Sequence, residues 1–182
     1  MFEDKQNILL RVNDSCYLRV LTTDDVSDDY VFWMNDYEVT KYTEQNYRKH
    51  TRSDVEEFVN QKFNSKSDLL FGIYFEEKHI GNIKLGPIKW EHKSAEVSFF
   101  IGNKDFWGKG IASAVVGRVV DFSIKDMGLE KINAGYYDGH IGSAKVLEKC
   151  GFKLEGERRS TVIFEGARIN SILVGYLKDD GN

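Results

Sequence analysis

Residues 94–112, Ser-Ala-Glu-Val-Ser-Phe-Phe-Ile-Gly-Asn-Lys-Asp-Phe-Trp-Gly-Lys-Gly-Ile-Ala, constrain the fold more than any other stretch of this chain. Val97, Phe99 and Ile101 alternate with Glu96, Ser98 and Phe100, the two-residue period of a strand. From Gly110 the period changes. Ile111, Val115, Val119 and Phe122 recur at helical spacing, and Ala112, Val116 and Val120 widen the apolar stripe. The stretch reads as a strand, a short loop and the opening of a helix.

Gly108 and Gly110 stand where strand gives way to helix. Without Cβ atoms they let backbone N–H groups approach a ligand closely. The helix that follows offers orphan N–H groups and a positive dipole end. The pair is either an anion site, most often for phosphate, or a plain turn before a capped helix. A P-loop needs Lys-Ser or Lys-Thr closing a longer glycine frame, whereas Lys109 lies between these glycines. A dinucleotide fingerprint needs a third Gly or Ala where Ser113 stands.

A chain of 182 residues is expected to be one domain, 1–182, with a sizeable core. Its net charge of −4 argues against a nucleic-acid binder that works through a basic face. The longest apolar run, 69–75, falls far short of the roughly 20 residues that span a bilayer. The N-terminus is polar and acidic, unlike a signal peptide. No membrane partner and a cytoplasmic location are therefore expected. Cys16 and Cys150 suit a reducing compartment, and Cys150 falls on the apolar stripe of a helix, a core position. The four histidines, His50, His79, His92 and His140, are scattered and unpaired, so no metal site is expected.

In chain order, residues 1–14 read as a loose arm or short edge strand, and Tyr17 to Leu21 as the first full strand. Thr22 to Asp25 form a helix start, with Val26, Tyr30, Trp33, Met34 and Tyr37 following at helical spacing. Residues 35–50 are aromatic and polar. Thr51 with Asp54 makes a capping box for a second helix, buried through Val55, Phe58, Val59 and Phe63. Residues 69–75 and 79–85 read as a hairpin turned at 76–78, closed by Pro87. The helix from Gly110 stops at Gly128. A strand at 131–136, a short helix ending at Gly151, and strands at 152–160 and 169–177 complete the chain. The fold class is mixed α/β (α+β).

The 94–112 stretch resembles the acetyl-CoA core of the GNAT superfamily of N-acetyltransferases, in which a strand bearing Ala-Glu leads to a Gly-x-Gly turn that holds a pyrophosphate. Phe-Trp-Gly-Lys-Gly-Ile-Ala (106–112) is most similar to the Rim-type branch, which modifies ribosomal protein N-termini, polyamines and sugar amines. Residues 140–152, His-Ile-Gly-Ser-Ala-Lys-Val-Leu-Glu-Lys-Cys-Gly-Phe, resemble the later family motif at Ser143, Lys149, Gly151 and Phe152. Two departures stand out: Asp105 where Gln or Arg is frequent, and His140 where Asn is usual. The resemblance implies one domain with a mostly antiparallel, seven-stranded mixed sheet flanked by about four helices. It implies acetyl-CoA as cosubstrate and a primary amine of a small molecule as acceptor, an amino sugar or nucleotide-linked amino sugar foremost. A protein N-terminus, a polyamine, or CoA binding without chemistry are the alternatives. The protein is expected to be a monomer or a homodimer.

By the same resemblance, the backbone from Trp107 through Gly108, Lys109, Gly110 and Ile111 to Ala112 takes the pyrophosphate. Val97, Phe99 and Ile101 bind the pantetheine arm as an added strand, with His140 and Ser143 beside it. Glu96 is the candidate general base, with a chain of waters as the alternative. Ser143, Tyr136 and Tyr137 compete to protonate the leaving thiolate. The acceptor is expected over residues 35–50, with Trp33, Asp36, Glu38 and Tyr42 as its contacts.

Overall fold

A computed structural model describes residues 4–181; the first three residues of the expected N-terminal arm, and Asn182, lie outside the described residues. Among the described residues eight strands form one sheet. They are β1 (Leu9–Arg11), β2 (Cys16–Val20), β3 (Leu69–Phe75), β4 (Lys78–Leu85), β5 (Ser94–Ile101), β6 (Lys131–Tyr137), β7 (Lys153–Phe164) and β8 (Ala167–Leu177). Their order is β1-β2-β3-β4-β5-β6-β8-β7. Every neighbouring pair is antiparallel except β5 and β6, which are parallel. Seven strands match those expected, and the eighth is β1. Leu10, opposite Leu18, is 4% exposed and ties this edge to the core.

The helices are α1 (Asp28–Asn35), α2 (Tyr37–Thr40), α3 (Arg52–Asn64), α4 (Ile111–Asp121) and α5 (Ile141–Lys149). The first helix starts later than its pattern implied. Thr22 and Asp25 do form a capping box, but it closes a 3-10 turn at Thr23–Asp25. Arg19 holds the Asp25 carboxylate, and Ser27 then caps α1 by accepting from the Tyr30 N–H at 3.1 Å. The expected Thr51–Asp54 capping box is present on α3. The single turn α2 falls inside 35–50, where no helix was expected.

The sheet separates two apolar layers. On β3, Leu69, Phe71 and Ile73 join the layer under α4, while Leu70 joins the layer under α1 and α3. A strand buried on both faces reads as an unbroken apolar run, as this one does. Val115, Val116, Val119 and Val120 press α4 onto the first layer. The helix runs on as a π-helical turn over Phe122–Asp126, and Gly128 (φ 71°) turns the chain out. Cys150 is half-buried rather than buried; its thiol donates to the Ser113 carbonyl at 3.2 Å and so ties α5 to α4.

Strands β7 and β8 are longer than their apolar pattern implied. A two-residue turn at Glu165 and Gly166 (φ 48° and 81°) carries the hairpin beyond the sheet. There Tyr47 donates to the Ile163 carbonyl at 2.7 Å and Tyr37 to Glu165 at 2.8 Å. Among the described residues no helix is long and apolar enough to cross a membrane.

Phe71 is fully buried and its ring meets Phe122 edge-on at 6.4 Å. Phe71→Ala is expected to destabilise the fold by about 3–5 kcal/mol in urea unfolding. Leu154→Ala, at a side chain 72% exposed, is expected to change stability by no more than about 0.5 kcal/mol.

Candidate active site

The site begins where two parallel strands part. Among the described residues β5 and β6 pair at Ser94–Lys131, Ala95–Ile132 and Glu96–Asn133, and nowhere beyond. Yet β4 holds β5 as far as Ile101, and β8 holds β6 as far as Tyr137. Each strand is anchored by its outer neighbour while the inner edges diverge. The Glu96 carbonyl accepts from the Gly86 N–H, on the β4 side. Alternation along the strand then turns the backbone groups of Val97, Phe99 and Ile101 toward the opening. The Trp107 indole N–H donates to the Ile101 carbonyl at 2.8 Å and closes the far end of that edge.

The opening leads to the start of α4. Gly108 and Gly110 both have left-handed backbones (φ 72° and 76°), and a Cβ on either would meet nothing within 4 Å. Gly110 is the N-cap of α4, and no side chain caps the helix. Its first N–H groups therefore face a cleft of about 510 Å³ lined by Ile101, Trp107, Gly108, Gly110, Ile111 and Ala112. Lys109 does not line this cleft; its ammonium sits over the Phe106 ring at 5.3 Å. Lys41 and Lys145 line the cleft instead. Asp105 is exposed and also outside the lining.

A second cavity, of about 620 Å³, occupies the fork itself and includes Glu96, Ser98, Tyr136, Tyr137, His140 and Ser143. Strand alternation divides the two tyrosines. Tyr136 packs with Ile132 and Ala134 on the α4 layer, while the Tyr137 hydroxyl bonds to Glu44. Burial, and then that carboxylate, push the Tyr137 phenol well above its ordinary pKa. Ser143 and His140 line both the fork and the cleft. His140 stacks on Tyr42 at 4.3 Å, and Tyr42 stacks on Phe164 at 4.8 Å, so three rings bridge α5 to the hairpin tip.

A third cavity, of about 460 Å³, lies on the α1 and α3 side of the sheet, with Met34, Glu44, Arg48, Phe58, Asn82 and Lys84 in its wall. It shares Thr43, Glu44, Ser98 and Phe99 with the fork. Of the four residues expected to meet an acceptor, Tyr42 lines the fork and Glu38 the cleft under α4. Trp33 lies elsewhere. It is 4% exposed, and its ring occupies the space a Cβ on Gly102 would need. Asp36 pairs with Lys104 at 2.7 Å and caps α2; the Lys104 ammonium holds its carboxyl below the ordinary range.

Known proteins share the sequence and the fold of this chain. The Acetyltransferase (GNAT) domain family matches residues 16–153. The chain belongs to the GNAT family. It is 33% identical to a probable N-acetyltransferase, YjcK, of Bacillus subtilis over 113 residues, 60% of this chain and 62% of that relative. It is 25% identical to the uncharacterized N-acetyltransferase YoaA of the same organism, over 91% of this chain and 94% of that one. Its fold superposes on the spermidine N-acetyltransferase of Vibrio cholerae, solved with CoA and spermine, with a TM-score of 0.82. That match has 23% identity and covers 92% of this chain and 98% of that structure.

Lys41 and Lys145 line the cleft, and Arg48, Asn82 and Lys84 line the third cavity, positions that the sequence did not single out. The last two carried a usable signal. Asn82 and Lys84 are polar residues on one face of a strand whose neighbours Ile80, Ile83 and Leu85 are fully buried.

Burial, and then the Lys41 charge, hold His140 below its ordinary pKa of 6.5. The unfolded chain therefore binds a proton more readily than the folded one, and stability rises with pH across that window. The stabilisation is complete above about 6.5 and is lost as pH falls through the lower folded-state value. Burial holds His79 below its ordinary value in the same way, so urea unfolding from pH 7 to pH 5 is expected to lose stability, and His140→Asn is expected to remove only its own share of that loss.

Proposed function

We propose that this protein transfers the acetyl group of acetyl-CoA to a primary amine of a small molecule. The observation that carries the reading is the unpaired β5 edge from Val97 to Ile101, opening directly onto the glycine-capped start of α4. An amide-rich pantetheine arm fits an unpaired strand edge, and a pyrophosphate fits uncapped N–H groups at a positive dipole end. Gly108, Gly110, Ile111 and Ala112 hold the pyrophosphate, and Lys41 and Lys145 add positive charge. Acetyl-CoA supplies an activated thioester carbonyl.

The residues of this chain do the rest. An alkyl ammonium has a pKa near 10, so at neutral pH it must lose a proton before it attacks. Glu96 stands at the fork on the face that carries Ser98, and it takes that proton directly or through a water. A backbone N–H of the open β5 edge holds the carbonyl oxygen as negative charge gathers there. Ser143 protonates the departing thiolate. It lines both the cofactor cleft and the fork, whereas Tyr136 lines the fork alone. Tyr137 is the weakest of the three, because its bond to Glu44 and its burial hold its proton in place.

The acceptor class we favour is an amino sugar, free or nucleotide-linked. The third cavity joins aromatic and apolar walls to polar groups of both signs. Arg48 and Lys84 stand there beside Glu44 and Asp54, so the wall lacks the acidic excess that favours a polyamine. Thiol release from acetyl-CoA, screened against amino sugars, spermidine and N-terminal peptides, tests the reading. Turnover confined to spermidine, or to peptides, refutes the amino-sugar assignment.

Two sets of variants test the machinery. Gly108→Val with Gly110→Val puts side chains at left-handed positions and over the N–H groups, and a loss of CoA affinity of about tenfold or more is expected by calorimetry. Glu96→Gln is expected to lower kcat by about 10²- to 10⁴-fold with CoA affinity kept. The deficit is expected to shrink as pH rises and the free amine accumulates. Wild-type turnover in that variant at pH 7 leaves water as the base.

A further inference from the structure

Among the described residues, Tyr42, Thr43, Phe99, His140 and Ser143 line both the cofactor cleft and the fork. A thioester held from the cleft meets an amine held in the fork only where the two spaces join. These five residues are therefore placed around the reacting carbonyl. Phe99 has no proton to move. The Thr43 hydroxyl donates to the Thr40 carbonyl at 2.8 Å and accepts from the Gln45 N–H at 3.2 Å. The Tyr42 hydroxyl donates to the Gly139 carbonyl at 3.5 Å. His140 and Ser143 remain.

The two are placed as a pair. His140 is the N-cap of α5 and Ser143 lies three residues on, in its first turn, a spacing that brings side chains together on one side of a helix. The imidazole is held by its face. It stacks on Tyr42 at 4.3 Å with 8° between the planes, and among the described residues no hydrogen bond engages its nitrogens. Its Nε2 edge lies over Gly142, where a Cβ would stand 3.8 Å from Nε2, and Gly142 lines the cleft. The segment stacked on the ring carries Lys41, which pairs with Glu38 at 2.8 Å, and Glu44, which accepts from Tyr137 at the end of β6. The hairpin tip behind Tyr42 carries Glu165, which accepts from Tyr37 at 2.8 Å, and α5 itself carries Lys145. Of these charges it is Lys41 that bears on the ring, and after burial it opposes a second proton there. At pH 7 one ring nitrogen therefore bears a proton and the other is free to take one.

Acetyl transfer moves two protons off nitrogen. Glu96 takes the first, from the alkylammonium. When the neutral amine attacks, the new C–N bond leaves nitrogen positively charged. A second proton must leave it as the C–S bond breaks and sulfur takes the electron pair. A serine hydroxyl that gives its proton to sulfur must be given another in the same step. We propose that His140 is a catalytic proton carrier: its imidazole takes the second proton from the amine nitrogen and passes one through the Ser143 hydroxyl to the departing sulfur. The imidazole ends neutral, as it began. This deepens the acetylation reading above and rests on it. Asparagine, usual at this position in the family, bonds to neighbours but carries no proton.

The test uses the amine that releases most thiol in the screen of amino sugars, spermidine and N-terminal peptides. His140→Asn is expected to lower kcat about 10²-fold with CoA affinity by calorimetry unchanged. Wild-type kcat/KM is expected to fall below about pH 6.5 as the imidazole takes a proton in advance, and the variant's profile is expected to lack that step. Adding Ser143→Ala to His140→Asn is expected to cost little beyond the worse single variant, because one relay is broken either way. Free imidazole is expected to restore part of the turnover of His140→Ala. Wild-type kcat in His140→Asn, full additivity in the double variant, or a loss that follows CoA affinity overturns the relay and leaves the acetylation reading standing. Thiol release with no amine of the screen, in protein that binds CoA, overturns the acetylation of these amines and the relay with it.

Discussion

The structure depends on a contest over backbone hydrogen bonds in the middle of the sheet. Strands β5 and β6 begin as partners, but each is bound more extensively to its outer neighbour, β5 to β4 and β6 to β8. Those outer ladders run on past Glu96 and Asn133, where the shared one stops. Backbone groups inside a protein are almost always paired, so an edge held open at the centre of a sheet is the exception that a ligand must satisfy. The proposed pantetheine site, the position of Glu96 at the apex, and the placing of Ser143 across the gap all follow from this one unfinished ladder.

The helices decide what surrounds the gap. The four buried valines of α4 fix that helix across the sheet, so its uncapped start must face the opening. α5 is fastened beside it by Leu147 and by the Cys150 thiol on the Ser113 carbonyl. On the other face, α1 and α3 leave a cavity under Phe58 and Met34 whose wall is the polar side of β4. The stack of His140, Tyr42 and Phe164 spans the rim between fork and cleft, joining three segments distant in sequence. Face-to-face rings hold position through dispersion and shape without needing a charged partner.

Much of this was legible in the residues. Alternation in 94–101 and the apolar stripe from Ile111 located the strand and helix of the site, because both elements bury one side and their periods differ. Glycines at 108 and 110 marked the turn from strand to helix, and both have left-handed backbones there. Other features were not legible. Trp33 sat at a plausible helical spacing beside the acceptor segment, yet Gly102, distant in sequence, receives its ring. Asp36 looked like a free acid until Lys104 was brought to it. The extension of β7 and β8 beyond the sheet escaped notice because its exposed residues show no apolar period; tyrosine hydroxyls from 37–47 hold it.

By itself the sequence determined the order of the main elements, most of the residues that face the core, and the glycine turn between β5 and α4. Those are local properties, set by side-chain period, caps and φ preference within a few residues. The tertiary structure alone decided where the ladder between β5 and β6 stops, which of two adjacent tyrosines meets Glu44, and that Lys104 reaches Asp36. Each of these is settled by partners far apart in the chain. A hydrogen bond is made or left open according to what the rest of the fold brings within reach, and no local period encodes that.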